Sequence, residues 1–335
     1  MPEIAPLTAD QLPKVVVFAT GGTIAGSSAD PTDTTRYDVG ELRIETLVAA
    51  VPVLSGIARL EVRQFANVAS SDFDSSQVLR LACAINSCLA DATVDGVVVT
   101  HGTDTLEETA FLLDLATAGQ NKPVVLVGAM RPATALSADG PLNLAQAVSL
   151  ATSTQASGRG VLVVMNDRIE SGYYTTKRGA TVVDAFCAPE QGSLGLFLGT
   201  TPRFYYAPAT PTGRVTFDVS VLENLPKVAI LYLHGDQDSE QIDMVIERGA
   251  KGIVLAANGA GSITARMKPR IEELTRQGFP VIRSSRTGSG FAVKEDGGGI
   301  AAGVLNPQKA RILLMLALSH GADLATIRGY FSGQS

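Results

Sequence analysis

Short apolar runs that end in threonine- and glycine-rich turns constrain this chain more than any other feature. Residues 15–19 lead into Thr20-Gly21-Gly22-Thr23-Ile24-Ala25, and residues 97–99 lead into Thr100-His101-Gly102-Thr103-Asp104-Thr105. A run that is apolar at every position reads as a strand buried on both faces, as in a parallel sheet. Taking the flanking residues in, the strand candidates are 15–19, 96–100, 124–128 and 160–165. Helices are expected at 75–90, 106–115 and 143–151; in the second, Leu106, Ala110 and Leu113 recur at helical spacing. Strand, turn and helix in alternation predict βαβ units and a parallel sheet with helices on both faces. The two turns then lie at the carboxyl ends of strands, where α/β proteins bind ligands.

The rhythm breaks between 198 and 224, where Pro202, Pro208, Pro211 and Gly213 interleave with Tyr205, Tyr206 and Phe217. That composition reads as a linker with a short hairpin. The alternation restarts with strands at 228–233, 252–256 and 281–284 and helices at 239–248, 267–277 and 307–318. Pro307, after Leu305-Asn306, suits a helix start. The expected fold class is α/β with two α/β domains. A larger parallel-sheet domain at 1–200 carries both threonine turns, 201–224 links, and 225–335 forms a smaller flavodoxin- or Rossmann-like domain.

With 335 residues, 45% hydrophobic and 18% charged, the chain has the makings of a large core. A net charge of −6 disfavours nucleic acid or an anionic membrane as partner. No apolar run approaches the roughly 20 residues that span a bilayer; residues 312–318 read as a core helix. Residues 1–12 are polar and lack a signal peptide's apolar stretch, which fits a cytoplasmic protein or a mature exported one. Cys83 and Cys88 lie about 140° apart round one helix, a poor geometry for pairing. They and Cys187 read as structural and show no metal spacing, and three histidines argue against a His-metal site.

Chemistry concentrates at the two turns. In the first, the glycines let a ligand approach the backbone, and a helix beginning near Ile24 would aim N–H groups at an anion. A phosphate cradle is the rival reading, but G-x-G-x-x-G and the P-loop lysine are absent; a plain helix cap is another. In the second, Thr103 needs a base to become a nucleophile. The side chain of adjacent Asp104 diverges from it and suits a substrate ammonium instead. Candidate bases are His101, which also reads as a structural histidine, and Lys177, which the residue pattern alone does not single out from a solvated lysine. Residues 27–36 crowd Ser, Asp and Thr with no large apolar anchor before Tyr37; they read as a mobile lid or as an ordinary surface loop.

Three further motifs complete a pattern: Val127-Gly128-Ala129-Met130-Arg131-Pro132, Ser137-Ala138-Asp139-Gly140-Pro141-Leu142-Asn143-Leu144 and Leu305-Asn306-Pro307-Gln308-Lys309-Ala310-Arg311. With the two turns, they make the chain resemble the bacterial-type L-asparaginase family, in its type II branch, from residue 14 to about 329. The resemblance implies hydrolysis of L-asparagine to L-aspartate and ammonia, with L-glutamine as a secondary substrate. It implies no metal and no organic cofactor. Thr23 matches the family's nucleophile and Tyr37 the lid tyrosine that activates it. Thr103, Asp104 and Lys177 match a second catalytic set, in which the aspartate binds the substrate amino group. Ser70 matches the residue holding the substrate carboxylate, and Ala129 a backbone carbonyl that meets its amide. Ser71 stands where the family often has Gln or Glu, which loosens the contact to the amino group.

Ser262 and Glu295 match residues supplied to the site of a neighbouring subunit, although the segment 287–299 is shorter than in many members. The family's assembly is a homotetramer built from two intimate dimers. Its type II branch is periplasmic or secreted, while the missing leader and disulfide pair leave the cytoplasm open. The rival function is a catalytically inactive amino-acid-binding protein of the same fold. A Rossmann-like dehydrogenase lacks its glycine fingerprint here.

Overall fold

The computed structural model describes residues 11–117 and 121–333. All but the last two residues of the stretch read for a leader, 1–12, lie outside the described residues. The chain divides into two compact units, Met1–Thr210 and Pro211–Ser335.

In the first unit the strands are β1 (Lys14–Gly21), β2 (Arg59–Val68), β3 (Gly96–Thr100), β4 (Val124–Val127), β5 (Val161–Met165), β6 (Arg168–Ser171), β7 (Thr176–Lys177), β8 (Phe186–Cys187), β9 (Gly195–Leu198) and β10 (Thr201–Phe204). The helices are α1 (Ile44–Ala49), α2 (Ser75–Ala90), α3 (Leu106–Ala116) and α4 (Gly140–Ala151). One sheet has the order β10-β9-β6-β5-β4-β3-β1-β2, while β7 and β8 pair separately. From β2 to β5 every pairing is parallel.

The expected parallel sheet is extended at its other side by β6, β9 and β10, which run antiparallel. The cause is local. Only Asn166 and Asp167 separate β5 from β6, at φ 50° and 62°. A two-residue connection can return the chain only as a hairpin, and Asn and Asp tolerate left-handed backbone. β9 and β10 form a second hairpin, so Thr201–Phe204, inside the expected linker, belongs to the sheet.

Strand β1 is buried along its length because both faces are covered. Val15, Val17 and Ala19 share one core cluster with Ile44 and Leu47 of α1 and Leu144 and Val148 of α4. Val16 and Phe18 point the other way, to the side that α2 and α3 cover. Asp74 starts α2 with a capping box: its carboxylate accepts from Gln77 N, and Gln77 returns the bond to Asp74 N. Both rims of the sheet are polar or blocked. β2 presents Arg59, Glu61 and Arg63, with Glu61 paired to Lys14 at 2.8 Å and to Arg63. The rim strand β10 carries Pro202.

The order β2-β1-β3-β4-β5 matters for function. The chain lays β2 on one side of β1 and β3 on the other, so the ends of β1 and β3 flank a topological switch point. Both threonine turns stand at those ends.

The second unit is a four-stranded sheet, all parallel, of β11 (Val228–Tyr232), β12 (Gly252–Ala257), β13 (Val281–Ser285) and β14 (Ile300–Ala301) in sequence order. Its helices are α5 (Glu240–Glu247), α6 (Lys268–Arg276), α7 (Pro307–Ser319) and α8 (Leu324–Ser332). Asn306 caps α7 by accepting from Lys309 N, and Pro307 fills the first turn, where no N–H is missed. Arg283 of β13 is wholly buried, and burial lowers its pKa. Its guanidinium donates to the carbonyls of Gly261 at 2.8 Å, Asp296 at 2.8 Å and Gly298 at 3.1 Å. One side chain thus fixes two loops. No helix among the described residues is long and apolar enough to cross a membrane.

Candidate active site

At the end of β1 the chain turns through Gly21 and Gly22, at φ 104° and 83°. The expected helix near Ile24 is only a single 3-10 turn, Thr23–Ala25. Thr23 is 6% exposed, and its Oγ1 shares a hydrogen bond of 2.7 Å with the Tyr37 hydroxyl. Tyr37 reaches it because Gly26 has no side chain: a Cβ there would come within 2.8 Å of the Tyr37 ring.

The second turn packs directly on the first. A Cβ on Gly102 would lie 2.8 Å from Ser70 Cβ and 3.1 Å from Gly22 Cα. Ser70 is buried in a 3-10 turn after β2 and holds the second turn from its other side. Its carbonyl accepts from Thr105 Oγ1 at 2.7 Å, and its Oγ accepts from Thr105 N at 3.4 Å.

Lys177 Nζ donates to Thr103 Oγ1 at 2.9 Å and to Asp104 Oδ1 at 2.6 Å. The Lys177 side chain is 13% exposed and that of Asp104 is 74% exposed, so the carboxylate is open to a ligand while the lysine is sheltered. The ribbon of β7 and β8 delivers Lys177. Buried Glu107, in the first turn of α3, accepts from Lys177 N at 3.4 Å.

His101 does not act on Thr103. Its Nδ1 is 2.8 Å from the Gly102 carbonyl and its Nε2 is 2.9 Å from Thr109 Oγ1. A carbonyl only accepts, so Nδ1 carries the proton and Nε2 accepts from Thr109. Phe73 packs edge-on, with ring centroids 5.3 Å apart. Burial lowers the His101 pKa from 6.5 to about 4, which keeps the ring neutral. Its task is to shape the turn that holds Thr103.

Ala129 is buried just past β4. Its surroundings rest on two residues that sequence reasoning left without a role. Asp139 looks like a helix cap before α4, yet its side chain makes no cap bond. It accepts instead from Met130 N and Arg131 N, each at 2.9 Å. Asn143 donates from Nδ2 to the Gly128 carbonyl at 3.1 Å and accepts from Asn166 N at 3.2 Å. Asn143 Nδ2 also donates to Asp139 Oδ2 at 3.2 Å. The motif contained both residues, but their other partners are backbone atoms, which leave no pattern in side chains.

The remaining candidates stand differently. Ser71 is exposed beside Ser70. Ser262 and Glu295 lie in the second unit. Ser262 is exposed, in an isolated bridge with Asn258. Glu295 Oε1 accepts from Ala301 N at 3.0 Å and its Oε2 pairs with Arg328. Partial burial alone would raise the Glu295 pKa, but these two partners hold it below the usual carboxylate range.

Comparison with known proteins finds relatives along nearly the whole chain. The family model described as "Asparaginase, N-terminal" covers residues 14–210, and "Glutaminase/Asparaginase C-terminal domain" covers residues 227–331. "Probable L-asparaginase 4" of Schizosaccharomyces pombe is 46% identical over 322 residues, covering 96% of this chain and 90% of the relative. "L-asparaginase 2" of Bacillus subtilis is 45% identical, covering 96% and 86%. A crystal structure of a probable cytoplasmic L-asparaginase from Campylobacter jejuni superposes with a TM-score of 0.91 at 43% identity, covering 96% of this chain and 99% of that one. Two family models that together span nearly the whole chain, with relatives this similar along their length, establish that it belongs to the bacterial-type asparaginase family.

Proposed function

We propose that this protein hydrolyses the side-chain amide of L-asparagine, giving L-aspartate and ammonia. The single observation that carries the reading is the meeting of two threonine sets at one switch point. One pairs Thr23 with Tyr37; the other gathers Thr103, Asp104 and Lys177. A zwitterionic amino acid needs an anion for its ammonium and donors for its carboxylate. Asp104 is exposed enough to take the ammonium, Ser70 supplies a hydroxyl for the carboxylate, and the Ala129 carbonyl receives the amide N–H. Ser71, exposed and short, reaches the amino group less closely than a longer side chain would.

Thr23 Oγ1 attacks the amide carbon while its proton leaves toward Tyr37. The C–N bond breaks, and the nitrogen takes that proton and departs as ammonia. An ester of Thr23 remains. Water attacks it, the water proton returns to Thr23 Oγ1, and L-aspartate is released. Lys177 and Thr103 form the second proton path, and lid closure excludes bulk water during the ester's life. Gly22 N donates to the Val68 carbonyl, so the oxyanion draws on other donors of the turns.

The reading extends to assembly and place. Four copies form two intimate dimers, and the domain at 225–335 completes a neighbour's site through Ser262 and Glu295. The type II pattern favours the periplasm or secretion, which fractionation of the native cells would check. Ammonia release from L-asparagine tests the reaction. No release above a Thr23→Ala control sinks it. L-asparagine is expected to exceed L-glutamine in kcat/KM, although one methylene discriminates by only about 1–3 kcal/mol; equal values would refute that preference.

A further inference from the structure

The segment from Ala129 to Asp139 holds parts of two of the motifs quoted above, and most of it has no role so far. It is stiff. Asp139 grips the N–H groups of Met130 and Arg131, and Arg131 Nη1 donates to the Ser137 carbonyl at 2.9 Å. Ala135 N and Ala138 N donate along the loop to the carbonyls of Pro132 and Ala135.

The lid docks on this brace. Ala133 N donates to the Gly26 carbonyl at 2.9 Å, and Leu136 N to the Pro31 carbonyl at 2.8 Å. Between them the Thr134 hydroxyl accepts from Ser28 N at 2.8 Å and donates to the Ser28 carbonyl at 3.0 Å. Thr134 supplies the only side chain among these four bonds.

The lid transmits what happens at Ser28. Ser27 and Asp38 exchange backbone hydrogen bonds of 3.1 and 2.9 Å, which close the lid at its base beside Tyr37. Its tip keeps its own shape. Asp30 Oδ1 accepts from Thr32 N and Oγ1, and Asp33 Oδ1 accepts from Thr35 N, Thr35 Oγ1 and Arg36 N. A flap with a fixed tip and a closed base moves as one piece, so a latch at Ser28 is felt at Tyr37.

We propose that Thr134 is a positioning residue whose hydroxyl latches Ser28 and thereby holds Tyr37 against Thr23. This rests on the assignment of Thr23 and Tyr37 above. Thr134→Val keeps the shape of the side chain and removes both hydrogen bonds; Thr134→Ser restores the hydroxyl. Arg36, with its side chain 92% exposed in the lid, gives trypsin a reporter site. Thr134 is exposed, so water replaces much of each lost bond, and two hydrogen bonds at the low end of net strength correspond to roughly a five- to tenfold shift toward the open lid. Thr134→Val is therefore expected to be cut after Arg36 about five- to tenfold faster, with kcat lower by a similar factor and an unchanged melting temperature. Thr134→Ser should stay within about twofold of the unaltered protein in both. Unchanged cutting at Arg36, faster cutting with unchanged kcat, or general cutting with a fallen melting temperature would each overturn the latch. If the unaltered protein releases no ammonia, the function reading fails; normal turnover with unchanged cutting in Thr134→Val overturns the latch alone.

Discussion

A methyl group on Gly22 would sit 2.2 Å from the Cα of Gly102. The two turns therefore touch backbone to backbone, and neither can carry a side chain at the contact. Gly22 also holds φ at 83°, where an L-residue is strained. Gly22→Ala is expected to cost at least about 2 kcal/mol of stability and to spread the two threonines. A denaturant midpoint equal to that of the unaltered protein would contradict this.

Under the proposed mechanism, Thr23→Ala should lower kcat by on the order of 10³ or more, because it removes the hydroxyl that faces Tyr37. Tyr37→Phe keeps the ring against Gly26 and removes only the hydroxyl. It should lower kcat by about 10² and leave KM within a few-fold. Steady-state kinetics on L-asparagine separate the two. A Tyr37→Phe enzyme at full kcat would mean that the 2.7 Å contact has no part in proton transfer.

Lys177→Met removes the donor shared by Thr103 and Asp104. A loss in kcat of roughly 10² to 10⁴ is expected. If Asp104 holds the substrate ammonium as proposed, Asp104→Asn should instead act mainly on KM. The reverse pattern, KM for the lysine and kcat for the aspartate, would exchange the two roles.

Burial lowers the His101 pKa from 6.5 to about 4. Between those values the unfolded chain takes up a proton that the folded one refuses. The neutral ring's contribution is then fully present above about 6.5 and drains away as pH falls toward 4, by up to roughly 3 kcal/mol. Proton NMR should show the His101 ring signals unmoved between pH 7 and 5. A titration midpoint above 6 would refute the buried neutral form.

Glu170 of β6 is buried, and burial pushes its pKa up against the opposing bond from Ser193 Oγ at 2.5 Å. A raised carboxyl favours folding below its unfolded pKa and disfavours it as pH rises. Glu170→Gln should therefore gain stability relative to the unaltered protein between pH 5 and 8, with little difference near pH 4. Melting curves at the two ends of that range decide it, and a gain confined to acid pH would reverse the sign.

Some of this was legible in the residues and some was not. Strands β1 and β3 are unbroken apolar runs, and the turns that follow them showed where a site would lie. β2 escaped notice because a rim strand keeps Arg59, Glu61 and Arg63 half in water, which hides the strand pattern. β6 escaped because buried Glu170 interrupts a four-residue strand. The threonines could be picked out by position alone. Tyr37 and Lys177 came only through the family resemblance, since they reach their threonines across 14 and 74 residues of chain. Thr134, Asp139 and Asn143 act mainly on backbone atoms, which no side-chain pattern records.

The two rims of the large sheet govern what copies of this chain can do to one another. A strand from another molecule, laid beside β2, would have to strip water from Arg59, Glu61 and Arg63. Laid beside β10, it would meet Pro202, which has no N–H to offer. Both rims of this sheet therefore disfavour growth by strand addition. Association at these two rims is left to side-chain contacts, where its geometry can be specific and its size finite.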